Sequence, residues 1–325
     1  MAGFLTAGIV QTALEIGLIY SLVALSLFIS FSILDICDLS TDGCYTLGCA
    51  AAAVITVAGH PILAIFAAVG AGICSGFVTA ILQTRFGVPS ILAGIIVNTG
   101  LYTVNLAVMG FSSNVAIFNK DTIFTMFAGL SGSEFWQEWS PLFLILIISC
   151  AIALILWWFM GTTLGLAIRA TGDSPAMVRS SSINPAGMII VGLCLGNALT
   201  GLAGALTAQY NKSCDINLGT GMVTIALASL IIGETLFGKR VMLRRIIGVL
   251  AGACLYRFII SLALRLNVPT EAFKLVSALI VAVAIAAPRA KELIVYSQKK
   301  RAAMKLRRSQ TGREAAGHAE DHRDI

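Results

Sequence analysis

Charge is what this sequence has least of. Only 12% of its 325 residues are Asp, Glu, Lys or Arg, where a water-soluble domain carries about a quarter. Apolar residues make up 58% of the chain, more than a soluble core of this length can hide, so a set of soluble globular domains is excluded. Histidine is scarce, with three in the whole chain, and none of the eight cysteines forms a CxxC pair with another. A zinc or disulfide framework is therefore not expected, and the cysteines read as small packing residues. Met1 to Gln11 contain no Lys or Arg. The basic start of a cleavable signal peptide is missing, and the first apolar span is expected to stay in the mature protein. No convergent set of His, Cys or Ser with a base appears, which disfavours a membrane enzyme.

What is present is a series of apolar runs matched to the roughly 30 Å hydrocarbon core of a bilayer. They fall near 9–34, 44–58, 62–83, 89–110, 141–160, 187–208, 221–237, 246–266 and 273–287. The expected fold is all-α: a polytopic transmembrane helix bundle of about nine spans (eight to ten). The runs at 44–58, 221–237 and 273–287 are short and suit half-helices or broken helices in protein-lined surroundings. Residues 1–295 read as one transmembrane domain and 296–325 as a basic tail that frays into disorder.

Orientation follows from Lys and Arg, which cytoplasmic loops retain. The tail holds Arg289, Lys291, Lys299, Lys300, Arg301, Lys305, Arg307 and Arg308, which puts it in the cytoplasm, within reach of anionic membrane lipids. Counting back places Lys239, Arg240, Arg244, Arg245, Arg169, Arg179 and Arg85 on that same side. The opposite side receives 111–140 and 209–220, whose only basic residues are Lys120 and Lys212, and the N-terminus. The net charge of +6 is mostly this bias together with the tail and needs no nucleic acid to explain it.

Against this background the polar residues inside or beside spans stand out. Asp35, Asp38 and Asp42 surround Ser40 and Thr41. Acids so near the bilayer are costly unless they face water, a partner or a pathway, so Asp38, Ser40, Thr41 and Asp42 are a candidate stretch of translocation path, with a hydrated interfacial turn as the plainer alternative. Glu15, Glu234 and Arg257 are membrane charges. A lone Arg at bilayer depth costs at least ~2.5 kcal/mol on insertion scales, so Arg257 is expected to have a carboxylate or carbonyl partner. Asn98, Asn105 and Asn197 suit interhelical hydrogen bonds, and paired glycines such as Gly72 and Gly76, Gly201 and Gly204, or Gly248 and Gly252 suit close helix contacts. Phe118, Phe124, Phe127, Phe135, Trp136 and Trp139 in the outer loop read as interfacial aromatics. Gly233-Glu-Thr-Leu-Phe-Gly-Lys-Arg240 nearly spells a phosphate-binding loop, but Arg240 replaces the hydroxyl that would hold magnesium and an apolar span precedes it. ATP chemistry must come from another chain, and no cofactor is expected in this one.

The longest helix-like segment between spans on the basic side is 165–179. There Asp173 or Ser174 can cap a short helix with Pro175 in its first turn, leaving Ala176, Met177 and Val178 as a small apolar surface between Arg169 and Arg179. Such a helix suits a groove in a cytoplasmic partner.

At these residues the chain resembles the permease subunits of bacterial ABC importers of the branched-chain amino acid and ribose type. The matching positions are Arg169, Ala170, Gly172, Asp173 and Pro175, followed by Ile183 and Asn184, together with Ile36-Cys-Asp-Leu-Ser-Thr-Asp-Gly-Cys-Tyr-Thr-Leu-Gly48. With Asp42 before Gly43 and Cys37 ahead of Asp38, the second stretch looks closer to the tryptophan and tyrosine permeases of that family. The resemblance implies that Arg169, Ala170, Gly172, Asp173, Pro175 and Arg179 belong to a coupling helix that fits an ATPase subunit. It further implies a second permease copy or homologue, an extracellular solute-binding protein, a bacterial cell membrane location and an amino acid or similar small polar solute. An ion-coupled secondary transporter, with ions on Glu15 or Asp38, is the alternative from a different class.

Overall fold

The computed structural model describes residues 7–118, 120–129, 134–238 and 241–265, together with Ala282 and Ala286. Otherwise the span expected at 273–287 and the whole of the tail at 296–325 lie outside the described residues, as do the side chains of Glu134 and Phe135.

The described chain is helical apart from one small pair of strands. In order it runs α1 (Ala7–Leu27, continued by a π-helical turn over Phe28–Ile33), α2 (Thr41–Val57), α3 (Pro61–Thr84), α4 (Ser90–Val108), β1 (Asn114–Ala116) and α5 (Ile123–Ala128). It continues through α6 (Glu134–Met160), α7 (Thr163–Asp173), α8 (Pro175–Ser180), α9 (Pro185–Asn211), β2 (Ser213–Asp215), α10 (Met222–Phe237) and α11 (Met242–Arg265).

Among the described residues, six helices are long and apolar enough to cross a membrane: Gly8–Ile33, α3, α4, Trp136–Met160, α9 and Met242–Ala263. α2 and α10 are apolar but shorter, with 17 and 16 residues. At 1.5 Å per residue they reach only about 25 Å, less than the roughly 30 Å core. The eight expected spans that fall on described residues therefore resolve into six helices of spanning length and two short ones.

Burial sorts these helices into a centre and a wall. Most of the apolar window is buried in α1 (78%) and α9 (72%), but only 28% in α4 and 17% in α6, whose Ile95, Ile96, Leu154, Ile155 and Trp158 stay exposed as lipid-facing residues do. α9 can be central because small residues line it on two sides. A methyl group at Gly48 of α2 would overlap the backbone of Gly201, one at Gly72 of α3 the carbonyl of Asn197, and one at Gly204 the carbonyl of Tyr45. Gly233 and Gly248 bring α10 and α11 together in the same way, a contact that bilayer helices favour because van der Waals packing replaces the hydrophobic drive.

The two ends of the bundle differ. One carries β1 and β2, antiparallel with Val115 opposite Cys214, and Gln209 at the end of α9 ties it together. The Gln209 amide donates to the Pro61 carbonyl (2.9 Å) and its oxygen accepts from the Ile123 N–H (2.9 Å). The other end carries α7 and α8. Thr162 caps α7 by accepting from the Gly165 N–H (3.3 Å), and Ser174 caps α8 by accepting from the Met177 N–H (3.4 Å) with Pro175 in the first turn.

Candidate functional site

Between α1 and α2 the chain breaks inside the bundle. After the π turn, Asp35 takes a left-handed conformation (φ 56°), which Asp tolerates better than most residues, and 34–40 run without regular structure until α2 begins. Asp38 organises the break. Its Oδ1 accepts from the Ser40 N–H (2.8 Å) and hydroxyl (2.6 Å), and its Oδ2 accepts from the Asn197 amide (2.8 Å). Asn197 stands midway along the 27-residue α9, so the break lies at mid-bundle depth.

Asp42, in the first turn of α2, reaches the start of α10. Its Oδ2 accepts from the Gly221 N–H (3.0 Å) and its Oδ1 from the Val223 N–H (2.8 Å). Beside it the Thr46 hydroxyl accepts from the Gly219 N–H (3.1 Å) and donates to the Asp42 carbonyl (3.2 Å). The amino ends of two short helices thus meet on one carboxylate. Each such end carries unpaired N–H groups and partial positive charge, and paired half-helices of this kind are how membrane transporters present polar backbone at mid-depth. Asn105 adds a further hydrogen bond, donating to the Gly43 carbonyl (3.1 Å), and Asn98 lies against the same glycine.

The four residues singled out for a path are therefore brought together, and in this conformation they are turned on the protein. Asp38 is 3% exposed, Ser40 and Thr41 are fully buried, and Asp42 is half-buried. No carboxylate oxygen of Asp38 or Asp42 lacks a donor.

The membrane charges are spread over both ends. Glu15, 4% exposed, accepts from the Gln11 amide (3.0 Å) and the Tyr210 hydroxyl (2.6 Å) near the strand-bearing end. Glu234 pairs with Arg245 (2.9 Å) near the opposite end, and Ser32 donates to the same oxygen (2.6 Å). Among the described residues, no carboxylate or carbonyl partner is recorded for Arg257. Its guanidinium lies over the Tyr20 ring, 5.6 Å from the centroid, and its Nε has no hydrogen-bond partner among the described residues. The ring face offers negative potential to the guanidinium. Arg245, read from sequence only as an orienting charge, forms an ion pair with Glu234. The signal available was Glu234 itself, an acid at bilayer depth in need of a cation.

The segment at 165–179 forms two helices, α7 and α8, joined at Ser174. Arg169, Asp173, Pro175, Ala176, Met177 and Arg179 are exposed and Ala170 is half-buried. Met177, at 65% exposure, is the apolar tip of this surface. Val178 turns inward instead of joining it, with 2% exposed. Gly172 packs on the end of the π turn, where an added methyl group would overlap the Ile33 carbonyl. In the 111–140 loop the aromatics divide. Phe118 is exposed, Phe124 sits edge-on to Tyr210, and Trp136 stacks with Phe143 and leans on Phe127.

Residues 9–285 match the family model described as the branched-chain amino acid transport system permease component. The chain is 33% identical to the tyrosine transport system permease protein of Clostridioides difficile over 276 residues, covering 85% of this chain and 89% of that protein. It is 30% identical to an uncharacterized protein of Rickettsia prowazekii, covering 88% of this chain and 99% of that protein. It is also 28% identical to the ribose import permease protein RbsC of Escherichia coli, covering 68% and 67%. No solved structure matches. The extent of the family match, over a bundle with several helices of spanning length, establishes that this multi-pass membrane chain belongs to the branched-chain amino acid transport system permease family.

Proposed function

We propose that the chain is the membrane-spanning permease subunit of an ATP-driven ABC importer in a bacterial cell membrane. It provides the path for an amino acid or similar small polar solute that an extracellular binding protein delivers. ATPase subunits dock on α7 and α8, and a second permease copy or homologue completes the assembly. The C-terminus and the end bearing α7 and α8 face the cytoplasm, as the basic clusters require. Tyrosine is the first solute to test, because a relative that is 33% identical carries that name.

The observation that carries this reading is the α7–α8 pair. It offers Arg169, Asp173, Met177 and Arg179 outward while Gly172 joins it to the end of α1 without an intervening side chain. A surface that is polar, exposed and directly seated on a membrane helix suits a motor that works from outside the bilayer. The Asp38–Asp42 junction supports the path. Its breaks and helix ends lie at mid-depth, where a rearrangement of one bundle against another alternates access.

Copurification with the ATPase subunit, followed by uptake with and without ATP, tests the reading. The ATPase is expected to copurify, and to be lost when 165–181 are deleted. ATPase retention after that deletion would sink the docking assignment. Uptake driven by an ion gradient alone would favour the secondary transporter.

A further inference from the structure

We propose that the π-helical end of α1, Phe28–Ile33, passes movement of the α7–α8 pair to the Asp38–Asp42 junction, and that Ser32, Glu234 and Arg245 are positioning residues that latch it. This rests on the ATP-driven reading above. A π turn is a widened helix with one residue too many for the α pattern, and such turns gather at functional sites. Here the wide bond runs from the Leu34 N–H to the Ile29 carbonyl (3.0 Å), and the Ile36 N–H, beyond the turn, closes its end on the Ser30 carbonyl (2.8 Å). Sliding back to the α pattern would turn and shift everything that follows it.

The turn is held from two sides. On one, Gly172 of α7 rests on the Ile33 carbonyl and the Leu34 backbone, and Leu34 and Ile168 share contact with Gly192 of α9. With no side chain at 172 to act as a cushion, displacement of α7 pushes directly on backbone. On the other side, Arg245 of α11 donates to the Ser32 hydroxyl (2.6 Å) and to Glu234 of α10 (2.9 Å), and Ser32 donates to Glu234 (2.6 Å). The same guanidinium lies over the Phe28 ring, 4.8 Å from its centroid. Arg245 thus touches the first and fifth residues of the turn and ties both to α10.

α10 closes the circuit, because its opposite end is the one capped by Asp42. α10 is a rod from the latch to the junction, ending at Asp42, and the π turn leads to Asp38 through the irregular chain at 34–37. The latch can also let go. The Arg245 Nε is buried without a hydrogen-bond partner among the described residues, so the guanidinium has donor capacity for a second arrangement.

The test uses the whole transporter in proteoliposomes with its ATPase and binding protein, and reads solute taken up per ATP hydrolysed. Ser32→Ala and the double variant E234Q with R245Q, which leaves neither charge unpaired, are expected to keep the ATPase bound and its basal hydrolysis within about twofold. Uptake per ATP is expected to fall by about tenfold, within the span of ordinary coupling energies. The charge-swapped pair E234R with R245E is expected to regain part of it. Unchanged uptake per ATP in both variants, with wild-type coupling intact, overturns the latch and leaves the importer reading standing. A wild-type assembly that shows no ATP-dependent uptake sinks both. Hydrogen exchange on the wild-type assembly needs no variant to fold. Residues 28–40 are expected to change exchange rate together with 163–180 when ATP is added, and a change confined to 163–180 overturns the proposal.

Discussion

The Asp38–Asp42 junction and the α7–α8 pair each place aspartate beside hydroxyl groups and helix ends, and they use it in opposite ways. At the junction every carboxylate oxygen of the two acids accepts a hydrogen bond from the chain itself. On α7 and α8, Asp173 is exposed alongside Arg169 and Arg179. The contrast follows from the solvent. Inside the bundle an unpaired N–H or carboxylate has no water to turn to and costs several kcal/mol (roughly), so the acids are consumed in holding α2, α9 and α10 together. At the water end a charge costs nothing to leave unpaired, and its value lies in what can bind it. One region is internal glue, and the other is exposed surface that, under the proposed function, meets a partner.

Substitutions can break that comparison. The largest stability effect is expected at the junction. Asp42→Ala leaves the Gly221 and Val223 N–H groups without acceptors, and hydrogen bonds to a charged group are worth about 1.5–3 kcal/mol each. A loss of about 3–5 kcal/mol is expected in chemical unfolding of the detergent-solubilised protein, with Asp42→Asn recovering part because one oxygen remains. An unfolding midpoint unchanged by Asp42→Ala would mean that the α10 end is not held as described.

Next is Arg245→Ala, which removes one partner cation from a Glu234 that is 8% exposed. Breaking a buried pair from one side costs about 3–5 kcal/mol, whereas removing both charges is often neutral. Arg245 is 16% exposed, so the lower end of that range is expected, and E234Q with R245Q is expected to sit close to wild type. Equal losses for the single and double variants would contradict the pairing.

The smallest effect sharpens the comparison from the other side. Met177→Ser and Arg169→Ala alter only exposed side chains and are expected to move stability by no more than about 0.5 kcal/mol. Under the proposed function they still weaken ATPase retention on a column. Loss of stability without loss of retention would reverse the assignment of the two regions.

How much of this was open to reading from sequence depends on the distance over which each contact acts. Apolar run length is local, so 62–83 emerges as Pro61–Thr84, 187–208 as Pro185–Asn211, and the short runs 44–58 and 221–237 as short helices. The α8 cap is local too, with the Ser174 hydroxyl rather than the Asp173 carboxylate accepting the bond. The roles of Asp38 and Asp42 were not local. Asp38 meets Asn197 and Asp42 meets Gly221 and Val223 at separations of 159 to 181 residues, and no spacing rule connects such positions. Sequence could mark these acids as costly without saying what satisfies them. Arg257 shows the same limit, since the need for a partner was legible but the Tyr20 ring was not. The β1–β2 pair was missed because three-residue strands carry no alternation long enough to read.

Uptake of labelled tyrosine, and of other amino acids beside it, into proteoliposomes containing this chain, its ATPase and its binding protein tests the central claim most directly. The account predicts accumulation of at least one amino acid that requires ATP and is abolished when 165–181 are deleted. Accumulation that proceeds without ATP on an ion gradient, or that survives the deletion, would contradict it.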